Sequence, residues 1–345
     1  MPGMNNKLLT YLTFLGIFLV GFVGTYLMLT LSSKGKANKS TKLATKEDVI
    51  PGAPAVDGES NSYNVLLLGS GGEGHSGGAL TDSIIVANIN TTTKRVSLIS
   101  IPRDLWVPGN YKINSSVVNV GLTNFKGTIQ NITNLPISYV VSVDFDGIVE
   151  IINSLDEIEI SLDKSYDDHF YPVRGLENET CGKTGPEIAE LHAKYSGFEL
   201  EKQFTCRYEH IHADSGKSKI NGDLALKLAR SRHGDSDFGR SIRQFAILKG
   251  ILNKLISIDA LEKIDELYST FIRSIKTDIS PEIVKDLAKV IGDPKGYQVN
   301  EVHITEENVL SSSKSAQGGA YILIPKAGTN NFTEVKAFIS TSINK

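Results

Sequence analysis

The sequence predicts an α/β fold: a mixed central β-sheet flanked by helices, preceded by one N-terminal transmembrane helix. Three observations carry this reading. Apolar runs of strand length alternate with amphipathic helical segments from Tyr63 onward. The first strand connections are too short for a parallel crossover, so the sheet must contain antiparallel pairs. An uninterrupted apolar segment, Leu8 to Leu31, precedes all of it.

A chain of 345 residues holds one large or two modest domains. Hydrophobic residues make up 40% and charged residues 22%, with a net charge of −3. That balance argues against nucleic acid as a partner, because a nucleic-acid surface must be basic enough to release counterions. Any anion site has to be built locally from clustered Arg and Lys.

The elements follow in order. LLTYLTFLGIFLVGFVGTYLMLTL, residues 8–31, carries no charge and exceeds the roughly 20 residues that span a bilayer core. A cleavable signal peptide has an apolar region of only about 7–15 residues and a small-residue cleavage site. No A-x-A follows here, so the segment is read as an uncleaved single-pass anchor behind a short cytoplasmic N-terminus, residues 1–7. Lys7 precedes it, whereas Lys34, Lys36, Lys39, Lys42 and Lys46 follow. The lysine count would place the rest in the cytoplasm, but long domains translocate largely regardless of charge. Residues 32–62, rich in Lys, Ser, Gly and Pro, form a flexible tether.

NVLLLG, SIIVANI and RVSLISI then read as strands, the last two joined by the tight NTTTK turn. SYVVSVDF is a fourth strand, DGIVEIINSL an amphipathic helix and EIEISL a further strand. Residues 163–218, which hold both cysteines, read as irregular. NGDLALKLARSR is a helix with Asn221 as its N-cap, and another helix starts near Phe238. ALEKIDELYSTFIRSI and SPEIVKDLAKVI read as helical, YQVNEVHI and AYILIP as strands, and the region near Phe332–Ile339 as a last helix. Residues 63–275 are read as the main folded domain and 276–345 as an α/β extension of unknown role.

Two nucleotide motifs fail on context. Gly69, Gly71 and Gly74 match G-x-G-x-x-G, but that fingerprint must open a helix on whose N-terminus the pyrophosphate rests. HSGGALTD and the strand SIIVANI follow instead. Gly216–Ser218 (GKS) lacks the glycine a P-loop needs five residues earlier; Ile211 stands there.

Charged residues cluster where elements end. IPRD (Ile101–Asp104) closes the third strand, KIN (Lys112–Asn114) follows, and Thr81–Asp82 opens the second. LARSRHGDSDFGRSIRQ, residues 228–244, contributes Arg230, Arg232, Arg240 and Arg243. Arg240, Arg243 and Gln244 share a helical face. Arg230 and Arg232 would diverge by about 200° on a regular helix, so they converge only if the helix stops there. Guanidinium groups grip phosphate oxygens in bidentate fashion and suit a diphosphate better than lysine does.

The ordered set NVLLLG, LTDSIIVANIN, VSLISIPRDLWV, KIN, ISYVVSVDFDGIVEIINSL and INGDLALKLARSRHGDSDFGRSIRQ resembles the LytR-CpsA-Psr family of bacterial cell-envelope enzymes. The resemblance covers roughly residues 63–256. It implies a phosphotransferase outside the membrane that moves a glycopolymer from a polyprenyl-pyrophosphate carrier to a cell-wall acceptor such as peptidoglycan, assisted by Mg²⁺. It assigns the pyrophosphate to Arg103, Lys112, Arg230, Arg232, Arg240, Arg243 and Gln244. Asp82, Arg103 and Asp104 become the catalytic group, with Asp82 as a metal ligand or catalytic carboxylate. One departure matters: the family's Asp after the first strand's LLG is replaced by Ser70 and a glycine-rich loop. Glu73 in that loop, or Asp104, is a candidate replacement for the metal, His75 lies beside the loop's Glu73, and the loop's backbone N–H groups could cradle phosphates. A retained pocket without turnover, or hydrolysis of the lipid pyrophosphate, are the alternative functions.

Cys181 and Cys206 are the only cysteines. Two cysteines do not complete a tetrahedral zinc site, and an exterior location favours a disulfide. Closing a loop of about 25 residues would stabilise the fold by roughly 3–4 kcal/mol.

Overall fold

In the computed structural model of the chain, residues 54, 56–57, 60–72, 77–231, 233, 237–257, 275–279, 281–292, 296–316 and 318–345 are described. The expected membrane helix, nearly all of the tether and the predicted helix ALEKIDELYSTFIRSI, except its last residue Ile275, lie outside them. Among the described residues no helix is long and apolar enough to cross a membrane. The described residues fall into two compact units, one built from residues up to Asp156 and from Ile251 onward, the other from Glu157–Gly250.

Elements run in chain order as follows. The first unit opens with β1 (Ser62–Ser70), β2 (Thr81–Asn90), β3 (Arg95–Ser100), β4 (Trp106–Val107), β5 (Tyr111–Lys112), α1 (Ser116–Thr133), β6 (Tyr139–Val143) and α2 (Phe145–Ser154). The second unit holds β7 (Ile158–Leu162), β8 (Tyr166–Pro172), α3 (Gly185–Lys194), α4 (Gly197–Glu201), β9 (Tyr208–Ala213), β10 (Gly216–Ile220) and α5 (Gly222–Arg230). Helix α6 (Asp237–Ser257) leads on to β11 (Ile275–Thr277), α7 (Pro281–Ile291), β12 (Gln298–His303), β13 (Leu310–Lys314), β14 (Tyr321–Pro325) and α8 (Thr333–Ile343) in the first unit.

A six-stranded sheet, ordered β11-β6-β1-β2-β3-β12, forms the first unit's centre. It is mixed as expected: β1 pairs antiparallel with β2 and parallel with β6, β2 antiparallel with β3, and β12 parallel with β3. Apolar positions of the sheet (Leu66, Leu68, Ile84, Val86, Ile99) pack in one cluster with Phe125, Ile129 and Ile132 of α1 and Val335 and Ile339 of α8. Each such fully buried aliphatic or aromatic side chain is worth about 1.5–3 kcal/mol. The sequence reading passed over α1. Its helical periodicity is broken at Gly121, where the backbone leaves the helix with φ 75° and ψ 162°.

In the second unit β7 pairs antiparallel with β10 and β8 with β9. The expectation that residues 163–218 are irregular is therefore corrected. They contain β8, α3, α4, β9 and part of β10. The pattern was hard to read because the inward positions of β8 are filled by Tyr166, Asp168 and Tyr171 rather than by aliphatic residues. Cys181 and Cys206 form a disulfide with Cα atoms 5.6 Å apart.

Candidate active site

Strand directions gather one set of polar side chains. The carboxyl ends of β1, β3 and β6 and the amino end of β2 lie at the same end of the sheet, as the pairings Gly69↔Val143, Ser70↔Thr81 and Ile85↔Ser100 require. In open α/β sheets this end, beyond the strands' carboxyl termini, is where ligands bind. Ser70, Asp82, the IPRD turn and Asp144 all belong to it.

Within this set, Arg103 Nη1 donates to Asp82 Oδ1 at 2.5 Å, and Arg103 Nε lies 3.6 Å from Asp104 Oδ2. Lys112 Nζ donates to Asp104 Oδ1 at 2.6 Å. Asp104 is buried, its side chain only 7% exposed, while Arg103 keeps 22% and Asp82 35% of theirs. The turn is tied down by its backbone. Leu105 N–H donates to Pro102 O, Asn114 N–H to Arg103 O, and Leu323 N–H of β14 to Asp104 O. Ile101 before the turn and Leu105 and Val107 at its end are buried. A short β4–β5 hairpin then brings Lys112 opposite Trp106. Residues far apart in sequence are thus held as a compact charge cluster, with Leu323 supplied by the region read as an extension.

Asp144 is the carboxylate that sequence reading misses, because it falls within the predicted strand SYVVSVDF. It caps α2, with Oδ1 accepting from Gly147 N–H at 2.8 Å. The glycine loop approaches it closely: a Cβ on Gly72 would meet Asp144 Cβ at 3.0 Å and Oδ2 at 3.2 Å. An N-cap aspartate between a strand and an amphipathic helix was the available signal. Glu73 and His75 lie outside the described residues, as does Arg232.

The second unit holds its own constellation. Helix α5 starts at the predicted cap, Asn221 Oδ1 accepting from Leu224 N–H at 2.9 Å, and stops at Arg230. Its terminal carbonyls, which have no partner within the helix, are met from α6. Arg243 Nε donates to Leu228 O at 2.8 Å and Nη2 to Ser231 O at 2.7 Å, and Gln244 Nε2 donates to Ala229 O at 3.1 Å. Arg243 is 3% exposed and its guanidinium lies 3.8 Å over the Tyr166 ring. These contacts fix the turn that carries Arg230. Arg230 Nη1 donates to Tyr171 Oη at 3.1 Å and lines a cavity of about 380 Å³ with Asp168, Tyr171, Arg207, Ser231 and His233.

Burial pushes the Tyr171 hydroxyl above its ordinary pKa, against the opposing pull of Arg230 and Lys227. Asp168, 1% exposed, accepts from Ser231 Oγ and from the backbone N–H of Phe170 and His233. Ser231 Oγ also meets Tyr166 Oη at 2.6 Å. Asp168 and Tyr171 escape the sequence reading because β8 is not recognised in it, and Ser231 and His233 stand in the LARSRHGDSDFGRSIRQ segment beside the arginines that drew the assignment. Arg240 sits half-buried on the first turns of α6.

One unit sets a guanidinium and an ammonium among carboxylates at the end of a mixed sheet where β1, β3 and β6 finish. The other fixes an arginine at a buttressed helix end beside a cavity. Each unit thus combines helices and paired strands with its own cluster of charged side chains. A profile of the LytR_cpsA_psr family matches residues 25–336, and the chain belongs to that family.

Its relatives include a polyisoprenyl-teichoic acid–peptidoglycan teichoic acid transferase, TagU, of Enterococcus faecalis. That protein is 26% identical over 66% of this chain, a match that spans 64% of its own length, just under two thirds. TagU of Bacillus anthracis is 23% identical over 96% of both chains. The crystal structure of Bacillus subtilis TagV shares the fold, with a TM-score of 0.56 and 22% identity over 82% of this chain and 98% of that one.

Proposed function

We propose that this chain is a membrane-anchored phosphotransferase that moves a glycopolymer from a polyprenyl-pyrophosphate carrier to a cell-wall acceptor such as peptidoglycan. The Asp82–Arg103–Asp104–Lys112 cluster at the ligand-binding end of the sheet carries the reading. Family membership and the names of the TagU, TagV and TagT relatives support it. The apolar segment 8–31 supports anchoring, and the Cys181–Cys206 disulfide supports an extracytoplasmic position for the folded part.

Phosphoryl transfer asks mainly for positioning and charge neutralisation. Arg103, aimed by Asp82, and Arg230, steadied by Tyr171, present guanidinium groups suited to phosphate oxygens. Arg240 and Arg232 add positive charge, and Arg243 and Gln244 hold the α5 end in place. The donor set fits Mg²⁺, a hard cation that takes one or two carboxylates together with substrate phosphates. Asp82 and Asp104 would hold it, in exchange for part of their present pairing with Arg103 and Lys112. When bound, the ion would neutralise charge developing on the phosphate oxygens. In this reading Asp82, the more exposed of the two, takes the acceptor hydroxyl's proton.

Ser70, standing where the family carries an aspartate, favours a second reading in which the pocket binds lipid pyrophosphate without turnover. Incubating the purified full chain with Mg²⁺ and a lipid-linked saccharide, with and without acceptor, separates the readings. Transfer that requires acceptor supports the proposal. Release of saccharide without acceptor identifies a hydrolase, and binding without turnover under any metal condition leaves only the second reading.

A further inference from the structure

The outer face of the β8–β9 ribbon carries a cluster that the transferase reading does not use. Residues two apart in a strand share a face, so His210 and His212 stand side by side on β9, and Asp167 and His169 on β8. The register sets Asp167 opposite His212, and an irregularity between Asp168 and Tyr171 follows. The His169 ring lies flat on that of His210, with centroids 4.0 Å apart and planes 8° from parallel. Asp168, between Asp167 and His169, turns to the opposite face and is buried.

A single oxygen organises the cluster. Asp167 Oδ1 lies 2.9 Å from both His210 Nε2 and His212 Nδ1. The other nitrogen of His212, Nε2, lies 3.1 Å from Asp214 Oδ1. One ligand atom each from Asp167, His210 and His212 fall within 4.8 Å of one another. A tetrahedral ion with bonds of about 2.0–2.1 Å needs ligand atoms about 3.4 Å apart, a spacing that small ring rotations supply. The three side chains are 44–47% exposed, so an ion reaches them without opening the fold.

We propose that Asp167, His210 and His212 form a binding site for a transition-metal dication of the zinc class. Two imidazole nitrogens and one carboxylate oxygen suit Zn²⁺, Ni²⁺ or Cu²⁺, whereas Mg²⁺ and Ca²⁺ prefer all-oxygen sites. Three protein ligands leave a fourth position for water or another donor. Asp214 plays the outer carboxylate of a carboxylate–histidine–metal arrangement, holding the Nε2 proton so that Nδ1 faces the ion. His169, stacked on His210, keeps that ring in plane.

The test is calorimetric titration of the metal-stripped full chain with Zn²⁺, paired with the visible absorption of its Co²⁺ form. One Zn²⁺ per chain is expected, with tetrahedral cobalt bands and no competition from millimolar Mg²⁺. His210→Ala and His212→Ala should each weaken binding at least tenfold and Asp214→Asn about tenfold, while His192→Ala on α3 leaves it unchanged. Circular dichroism checks the fold of each variant, and Asp167→Asn provides a second route to the same loss. The proposal is overturned by absence of saturable Zn²⁺ binding, by displacement with Mg²⁺, or by binding that survives the double His210→Ala, His212→Ala change.

Discussion

Arg103 and Arg243 show how differently two arginines of one family signature are used. Arg103 is partly exposed and reaches two carboxylates; Arg243 is buried and meets two backbone carbonyls. Arg103→Ala should therefore cost function rather than stability. A charge-assisted contact is worth about 1.5–3 kcal/mol, so affinity for a lipid pyrophosphate should fall at least tenfold in a binding titration. Its melting temperature should scarcely move, because partly exposed ion pairs contribute only about 0–1 kcal/mol. Arg243→Lys should do the opposite. Lysine keeps the charge but not the planar fork, and two buried carbonyl contacts are disturbed at about 1–3 kcal/mol. Urea denaturation would read this as a lowered midpoint. Equal and small shifts in both variants would contradict the division of labour.

At the scale of elements, α6 and β7 meet at Gly250. A Cβ there would lie 2.7 Å from the Glu159 carbonyl oxygen and 3.2 Å from Ile158 Cδ1 and Ile160 Cγ2. Alanine is favoured over glycine in a helix by about 1 kcal/mol, yet Gly250→Ala should destabilise by roughly 1–3 kcal/mol, since backbone cannot yield as a side chain does. Thermal denaturation decides the sign. This contact was invisible in the sequence, where Gly250 is one residue in a helical pattern. What was legible were elements whose periodicity stands alone: β1, β2, β3, β6, and α5 with its Asn221 cap. What was not legible depended on tertiary partners. Helix α1 breaks at Gly121, and β8 turns a carboxylate inward that Ser231, nearby backbone N–H groups and the His233 ring make tolerable. The same holds at the site. Arg103 and Asp82 could be named from their motifs, but Asp144 needed the sheet's strand directions before it joined them.

For the molecule as a whole, two expectations concern the solution around it. Burial, with Tyr63, Asp278 and Asp286 nearby, pushes Tyr139 up to about 12, and burial with Tyr63 does the same to Tyr297. The folded state holds these protons more tightly than the unfolded chain, whose tyrosines ionise near 10. Stability is thus fully present below pH 10 and is lost as pH rises from 10 towards 12. Urea midpoints measured across that interval should fall, and a flat profile would count against buried neutral phenols. The second expectation concerns redox state. Reducing Cys181–Cys206 should cost about 2–4 kcal/mol, and protein alkylated before digestion from its native membrane should yield the linked peptide pair. Free thiols there would argue against an oxidising exterior.

The pairing of β12 with β3 also sets a timetable. Asn300 and Ser97, neighbours in the sheet, are 203 residues apart in the chain, and the entire second unit is synthesised between them. While those residues emerge, β3 waits with one edge unpaired, the kind of edge that recruits strands from other chains. Contacts so distant in sequence make for slow closure. The nascent chain therefore gains from shielding until its last strands arrive. A chain cut before residue 298 should aggregate instead of yielding a smaller working protein.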